Sequence, residues 1–206
     1  MEAHTSTLVL TVGHSNRPLE EFLSLLRAHR VTFVGDVRKM LGSRRNAQFN
    51  RGTLPQALHE AGIGYVHLSS LGGLRRRTPG SPNTGWKNAS FQGYADYMLT
   101  AEFEKGLEEL LEQARGQRIA LMCAEAVPWR CHRSLIADAL VVRGVAVAHI
   151  LSASRTQPHV LRPWAEVQCT RITYPPQAED TTSEPRTTPP GGALPALRGA
   201  SGSAPC

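Results

Sequence analysis

Short apolar runs alternate along the chain with longer segments whose apolar residues recur at helical spacing. Residues 7–12, 31–34 and 63–68 are apolar runs of strand length, whereas residues 19–29 and 54–61 each present one apolar face. The order strand, helix, strand, helix, strand is typical of βαβ units, which form parallel sheets through right-handed crossovers. This part of the chain therefore predicts an α/β protein.

The same rhythm continues after a long loop at residues 69–89. Four further elements follow from the pattern, namely helices at residues 91–98 and 102–113 and strands at residues 119–122 and 145–151. An amphipathic helix opening at Cys131 is expected between the last two strands. We therefore predict one α/β domain with a mainly parallel sheet over residues 1–155.

Residues 156–206 have a different composition. Seven of the 14 prolines lie in residues 171–206, with Thr, Ser and Gly between them and few large apolar side chains. Such a segment buries too little apolar surface to offset the entropy lost on ordering. We therefore predict that residues 156–206 form a low-complexity, largely disordered C-terminal tail.

The composition also favours a cytoplasmic protein without a membrane partner. No apolar run approaches the roughly 18 residues of a membrane span. The N-terminus lacks the basic start and the apolar run of a signal peptide. Four cysteines at this length do not indicate a disulfide scaffold, and they are consistent with a reducing compartment. The sequence predicts no particular oligomeric state.

The positive charge is concentrated in one part of the chain. Net charge is +6, and residues 36–87 carry nine Lys and Arg against two acidic residues, whereas residues 156–206 carry four of each sign. Such a basic block favours a phosphate-bearing small molecule or a nucleic acid as the partner. A solvated, solubilising surface is the alternative.

Polar side chains follow three of the predicted strands at the point where each strand ends. They are His14 and Ser15, then Asp36 and Arg38, then Cys123 and Glu125 with Cys131, His132 and Arg133 at the next helix start. Open α/β sheets bind ligands at the carboxyl ends of their strands, and a helix N-terminus attracts anions. We therefore expect one polar cluster at this sheet edge.

Both cysteines of this cluster admit a structural and a chemical interpretation. Cys123 fits a small buried hydrophobe, whereas Cys131 is expected near a helix N-terminus that would stabilise a thiolate. Zinc binding by these cysteines and His132 is disfavoured, because adjacent residues rarely both ligate one ion and no fourth ligand is evident. We therefore predict neither a metal nor a cofactor.

Glu125 is the strongest candidate for catalysis. A carboxylate just past an apolar strand is costly to desolvate unless it is paired or used. It would act in acid–base or nucleophilic chemistry, with His132 as a second proton-transfer group. An ion pair with Arg133 or Arg38 that fixes the loop is the structural alternative, and Asp36 admits the same two interpretations.

The phosphate-binding candidates come from the strand ends and the basic loops. They are His14, Ser15, Arg38, Ser43, Arg44, Gly72, Gly73 and Arg133. Aromatic side chains for base stacking are also available, namely Phe49, Tyr65 and Trp86.

Several motifs occur in an order that is familiar: GHSN after the first strand, DVR followed by GSRRNAQFN, YVHLSSLGG, and CAE followed by CHR. Together they resemble the bacterial and archaeal family called domain of unknown function 488 (DUF488), over residues 7–151. Leu41 and Ala47 replace prolines that are common in the family, which changes loop stiffness. The resemblance implies a Rossmann-like three-layer α/β fold and a shared polar cluster, but no particular reaction.

Other well-known nucleotide-binding classes are disfavoured. The chain has no G-x-x-x-x-G-K-[ST] and no G-x-G-x-x-G, which argues against P-loop NTPases and dinucleotide-binding dehydrogenases. We predict a hydrolase or transferase that acts on a phosphate-bearing nucleotide or nucleic acid through the Cys/Glu/Cys-His-Arg cluster. A non-catalytic nucleic-acid-binding module and a thiol-redox or sulfur-transfer enzyme stay open as alternatives.

Overall fold

The structure is a computed structural model, and it describes residues 7–177. The strands are β1 (Leu8–Gly13), β2 (Phe33–Asp36), β3 (Gly64–His67), β4 (Ile119–Cys123), β5 (Ala146–Ser152), β6 (Arg155–Pro158), β7 (Glu166–Gln168) and β8 (Arg171–Thr173). The helices are α1 (Leu19–Ala28), α2 (Leu54–Glu60), α3 (Ala89–Tyr97), α4 (Ala101–Gln113) and α5 (Arg133–Val141). In the described part of the chain, no helix is long and apolar enough to cross a membrane.

Six strands form one sheet in the order β3-β2-β4-β1-β5-β6. The first five are parallel, and β6 runs antiparallel to β5 at the edge. Gly13 lies opposite Cys123, and Asp36 lies opposite Met122. The carboxyl ends of β1, β2 and β4 therefore lie side by side, as the strand pattern predicted.

Helices cover both faces of the sheet. In β4, Ile119 and Leu121 belong to the core that includes α3, α4 and α5, whereas Ala120 and Met122 belong to the core that includes α1 and α2. Successive residues of a strand point to opposite faces, so a strand between two helical layers is buried throughout. The predicted Rossmann-like, three-layer α/β fold with a mainly parallel sheet is confirmed.

Residues 156–177 differ from the prediction that the folded domain ends at residue 155. Strand β6 pairs with β5, and Ile172 and Tyr174 are buried. The Tyr174 hydroxyl donates to the buried carboxylate of Asp138 at 2.7 Å. Composition averages over a segment, whereas a few well-placed apolar and hydrogen-bonding side chains are enough to hold one against a core. The rest of the predicted tail, residues 178–206, lies outside the described residues.

Candidate functional site

A cleft of about 320 Å³ opens at the carboxyl ends of β2 and β4. Cys123, Cys131 and His132 lie together in it. Its polar lining also includes Arg38, Lys39, Glu125 and Arg130. Its apolar lining includes Met40, Leu74, Phe91 and Tyr94. The structure thus brings most of the predicted polar cluster to one concave surface.

The loop between β4 and α5 positions the two cysteines and the histidine. Cys123 is the last residue of β4, and a 3-10 turn at Pro128–Arg130 leads back toward it. Cys131 then has an extended backbone and His132 a helical one. This change of direction lets two adjacent side chains face the same point.

The imidazole of His132 is oriented by the backbone. Its Nε2 lies 3.0 Å from the carbonyl oxygen of Val37, and a carbonyl accepts only, so Nε2 carries a proton. In the neutral ring, Nδ1 then has a free lone pair. Nδ1 lies 3.7 Å from Sγ of Cys131 and 4.0 Å from Sγ of Cys123.

The pKa values of the two thiols are shifted in opposite directions. A hydrogen bond from Cys131 lowers the pKa of the Cys123 thiol well below its usual value, and His132 lowers it further, although burial opposes both. The same hydrogen bond and burial raise the pKa of the Cys131 thiol. Among residues 7–177, these two cysteines and His132 form the group whose ligand atoms could hold a metal ion.

Arg38 is held by a buried carboxylate. Its Nε and Nη2 donate to Asp36 at 2.7–3.1 Å, and the Tyr65 hydroxyl donates to the same carboxylate at 3.0 Å. Burial and the charge of Asp36 raise the pKa of Tyr65. Asp36 is wholly buried. It therefore orients Arg38 toward the cleft, and the proton-transfer role considered for Asp36 has no support in this geometry.

His14 completes this network. Its Nδ1 donates to the Ser15 carbonyl at 2.7 Å, and its Nε2 lies 3.3 Å from Nη1 of Arg38. Burial, reinforced by the charge of Arg38, lowers the pKa of His14 and favours the neutral ring. A neutral His14 can accept the Arg38 hydrogen bond, so the contacts are mutually consistent. Ser15 takes part through its backbone, because its N–H donates to the Ala124 carbonyl at 2.9 Å.

Glu125 is partly buried and lines the cleft. Its Oε1 accepts the backbone N–H of Val127 at 3.1 Å. The sequence also allowed an ion pair between Glu125 and Arg38 or Arg133, but none is found among residues 7–177. Arg38 pairs with Asp36 instead, and Arg133 binds backbone carbonyls. The carboxylate is therefore open to a ligand in the cleft.

Arg133 was predicted to hold a phosphate group, but the structure places it away from the lining of the cleft. Its side chain is buried, and its guanidinium donates to the carbonyl oxygens of Glu125 and Ala126, the latter at 2.9 Å. It is not among the residues that line the cleft. Arg133 therefore holds the loop that carries Glu125.

Other predicted ligands also lie outside the cleft. Ser43 organises its own loop through hydrogen bonds with Asn46 and Asn50, and Arg44 is exposed on that loop. Phe49 is wholly buried against His14 and Phe22, so no base can stack on it. Trp86 packs against Phe91, Trp164 and Tyr174. Gly73 lines the cleft, whereas Gly72 packs against Ser69 and Lys39.

Sequence reasoning missed several cleft residues. Lys39 and Arg130 adjoin the DVR and CHR motifs, and that proximity was the available signal. Phe91 and Tyr94 carried no such signal, because α3 reaches the cleft only through tertiary packing. The Tyr94 ring lies 4.9 Å from the His132 ring, centroid to centroid.

A comparison with known protein families finds the same family that the order of the motifs indicated. The family model described as Domain of unknown function DUF488 matches residues 18–140, which include Arg38, Glu125 and the cysteine–histidine group. No curated protein and no solved structure matches the chain. The matched residues make up more than half of the 206-residue chain. The protein therefore belongs to the family of domain of unknown function 488.

Proposed function

We propose that this protein is an enzyme, a hydrolase or transferase, that acts on a phosphate-bearing substrate of nucleotide size in the cleft. One observation carries the proposal: a thiol–imidazole group, an unpaired carboxylate and exposed cations line the same cavity. A concave, largely apolar site with a few convergent polar groups is the usual form of a small-molecule site.

Three basic side chains support a phosphate-bearing substrate. Lys39 and Arg130 are exposed and line the cleft. A guanidinium has five N–H donors, and in Arg38 three of them face Asp36 and His14, which leaves two for a ligand. A fixed guanidinium loses little entropy when it binds phosphate.

The apolar lining indicates the rest of the substrate. Met40 and Leu74 are 69% and 72% exposed although they are large and apolar. With Phe91 and Tyr94 they give the cleft its apolar and aromatic surface. A base or another planar group attached to the phosphate would cover this surface.

Glu125 is the proton-transfer group in this proposal. The Val127 N–H holds one of its oxygens, and the other is available to a substrate or a water molecule. Arg133 fixes the backbone of Glu125 and therefore acts as a positioning residue.

Calorimetric titration with nucleotides and sugar phosphates at moderate salt tests the binding site. We expect a double Lys39→Ala, Arg130→Ala variant to bind at least about tenfold more weakly, since each charged hydrogen bond contributes about 1.5–3 kcal/mol. The matched control is the double Arg44→Ala, Arg45→Ala variant, which removes two exposed charges from outside the cleft. Equal losses in both variants, or no binding to the native protein, would overturn the proposal.

Turnover of the bound compound then tests the chemistry. Phosphorus NMR and mass spectrometry would follow the product. We expect Glu125→Gln to retain binding and to lose at least about 100-fold in kcat, in the range of general acid–base catalysis. Unchanged kcat in this variant would remove Glu125 from the mechanism.

A nucleic-acid-binding module is the second candidate, and one observation favours it. Ser90 lines both the cleft and an adjoining surface pocket that contains Arg75, Arg76 and Arg77. Arg76 and Arg77 are exposed, whereas Arg75 binds the carbonyls of Ser70 and Gly72. This candidate predicts that only oligonucleotides bind, and that Arg76→Ala with Arg77→Ala reduces the salt dependence of the affinity.

A further inference from the structure

We propose that Cys123, Cys131 and His132 bind one zinc-type divalent ion through the two sulfurs and Nδ1, with the fourth position open to the cleft. This site goes beyond the proposed function. The arrangement of the ligand atoms supports it, whatever the substrate is.

The distances from the ring nitrogen to the two sulfurs are within about 0.5 Å of those around a tetrahedral ion. Zinc lies about 2.3 Å from a thiolate sulfur and about 2.0 Å from an imidazole nitrogen, so tetrahedral angles place nitrogen and sulfur about 3.5 Å apart and two sulfurs about 3.8 Å apart. The structure has Nδ1 of His132 at 3.7 and 4.0 Å from the sulfurs, and all three atoms within 4.8 Å of one another.

Hydrogen bonding alone lets only one of the two thiols use the ring nitrogen. In the neutral ring, Nδ1 of His132 has a single lone pair, and the sulfurs of Cys123 and Cys131 both face it. One thiol at most can use that lone pair. An ion at the centre of the three atoms would bind all of them, and each thiol would release its proton to solvent on binding.

His132 also has the second interaction that metal-binding histidines have. Such histidines donate their other ring N–H to a carboxylate or a backbone carbonyl, which fixes the tautomer and the ring orientation. The Nε2–H of His132 donates to the Val37 carbonyl at 3.0 Å. The ligand nitrogen is therefore presented in the correct state before any ion arrives.

Two adjacent residues usually cannot both ligate one ion. The backbone conformation of Cys131 and His132 makes it possible here. Cys131 has φ −129° and ψ 144°, whereas His132 has φ −57° and ψ −21° at the start of α5. The bend between them turns both side chains to the same side, so Sγ and Nδ1 lie 3.7 Å apart.

Gly73 has no Cβ and therefore lets the backbone approach the face of the His132 ring. A Cβ built on Gly73 would lie 2.9 Å from Nδ1 of His132, and Gly73 lines the cleft. Three protein ligands with an open fourth position is the arrangement of catalytic zinc sites. Where the proposed function also holds, the fourth position would be available to a water molecule in the cleft that Glu125 also lines.

Cobalt(II) titration of the full-length, reduced and chelator-treated protein tests the site. We expect one ion per chain, with thiolate-to-cobalt charge-transfer absorption and the visible bands of a tetrahedral ion, both abolished by one equivalent of zinc. Absence of the charge-transfer absorption in the native protein would overturn the proposal without recourse to any variant. The measurement uses no substrate, so its outcome is separate from that of the proposed function.

Variants assign the ligands. We expect Cys123→Ser, Cys131→Ser and His132→Gln each to weaken binding by at least about 100-fold, the upper range for loss of an outer-shell group. Gly73→Ala keeps every ligand, but its Cβ would collide with the His132 ring and displace Nδ1, so it should also weaken binding. The control is His59→Gln, which removes an exposed histidine on α2. Full affinity in the ligand variants, shown to be folded by circular dichroism, would mean that the ion binds elsewhere.

Discussion

The side chain of His132 is hydrogen-bonded to the backbone carbonyl of Val37 at 3.0 Å. Val37 directly follows β2, and His132 directly precedes α5, so this contact joins the end of one strand to the start of a helix that follows another. It places the free ring nitrogen beside Cys123 and Cys131. The arrangement of the cysteine–histidine group in the cleft therefore depends on the relative position of two strand ends.

Replacement of Asp36 by asparagine should destabilise the protein strongly. The change leaves the side chain of Arg38, which is 7% exposed, without a charged partner. Breaking a buried pair from one side costs about 3–5 kcal/mol. Urea unfolding gives the change in free energy.

The matched control for Asp36→Asn is Glu21→Gln. Glu21 pairs with Arg17 at 3.2 Å on the surface of α1, with the Glu21 side chain 60% exposed. Exposed pairs contribute at most about 1 kcal/mol. Similar free-energy changes in the two variants would show that Asp36 is not a buried partner of Arg38.

Gly13→Ala should destabilise the junction between β1 and the loop that carries Glu125. A Cβ at Gly13 would collide with the carbonyl oxygen of Glu125 and with Cα of Ala126, and neither is the end of a flexible side chain. Overpacking costs about 1–3 kcal/mol, and we expect the upper end. Gly42→Ala is the control, because a Cβ there has no neighbour within 4 Å among the described residues. Equal unfolding free energies in both variants would contradict the close approach of Gly13 to the backbone of Glu125 and Ala126.

Stability should fall as the pH decreases from 6.5 toward 4. Burial, and then the neighbouring His159, lower the pKa of His149 from 6.5 to about 4. Between these values the unfolded chain binds the proton and the folded protein does not, so acid favours unfolding. At about 1.4 kcal/mol per pKa unit the loss is at most about 3.5 kcal/mol.

Urea unfolding at pH 7.0, 5.5 and 4.5, in the native protein and in His149→Gln, isolates this effect. The variant lacks the group, so its stability should depend less on pH within that window. His59→Gln, on the exposed face of α2, should keep the native pH dependence. An unchanged pH dependence in His149→Gln would show that His149 is not the group responsible.

Tyr174→Phe tests whether residues 156–177 belong to the folded domain. The hydroxyl of Tyr174 donates to the buried carboxylate of Asp138 at 2.7 Å. Hydrogen bonds to charged groups contribute about 1.5–3 kcal/mol, and we expect a loss in that range by urea unfolding. Val160→Ala in the same segment, where the side chain is 77% exposed, should have almost no effect. A loss no larger than that of Val160→Ala would indicate that the Tyr174 hydroxyl adds little to the stability of the folded domain.

The sequence by itself determined the α/β architecture and the sheet edge that carries the site. Strand β4 is a continuous apolar run, and Cys123 and Glu125 follow at its end. These features are local, because strand and helix periods are written into neighbouring residues and parallel strands place their carboxyl ends together.

Only the tertiary structure decided where the side chains point and what they contact. Arg133 and Phe49 looked like ligands in the sequence, but Arg133 holds a loop and Phe49 packs in the core. Tyr94 reaches the cleft from a separate helix, and Tyr174 is held by Asp138 from a segment of disorder-like composition. The direction of a side chain and its long-range partners depend on packing between distant segments, which no local pattern encodes.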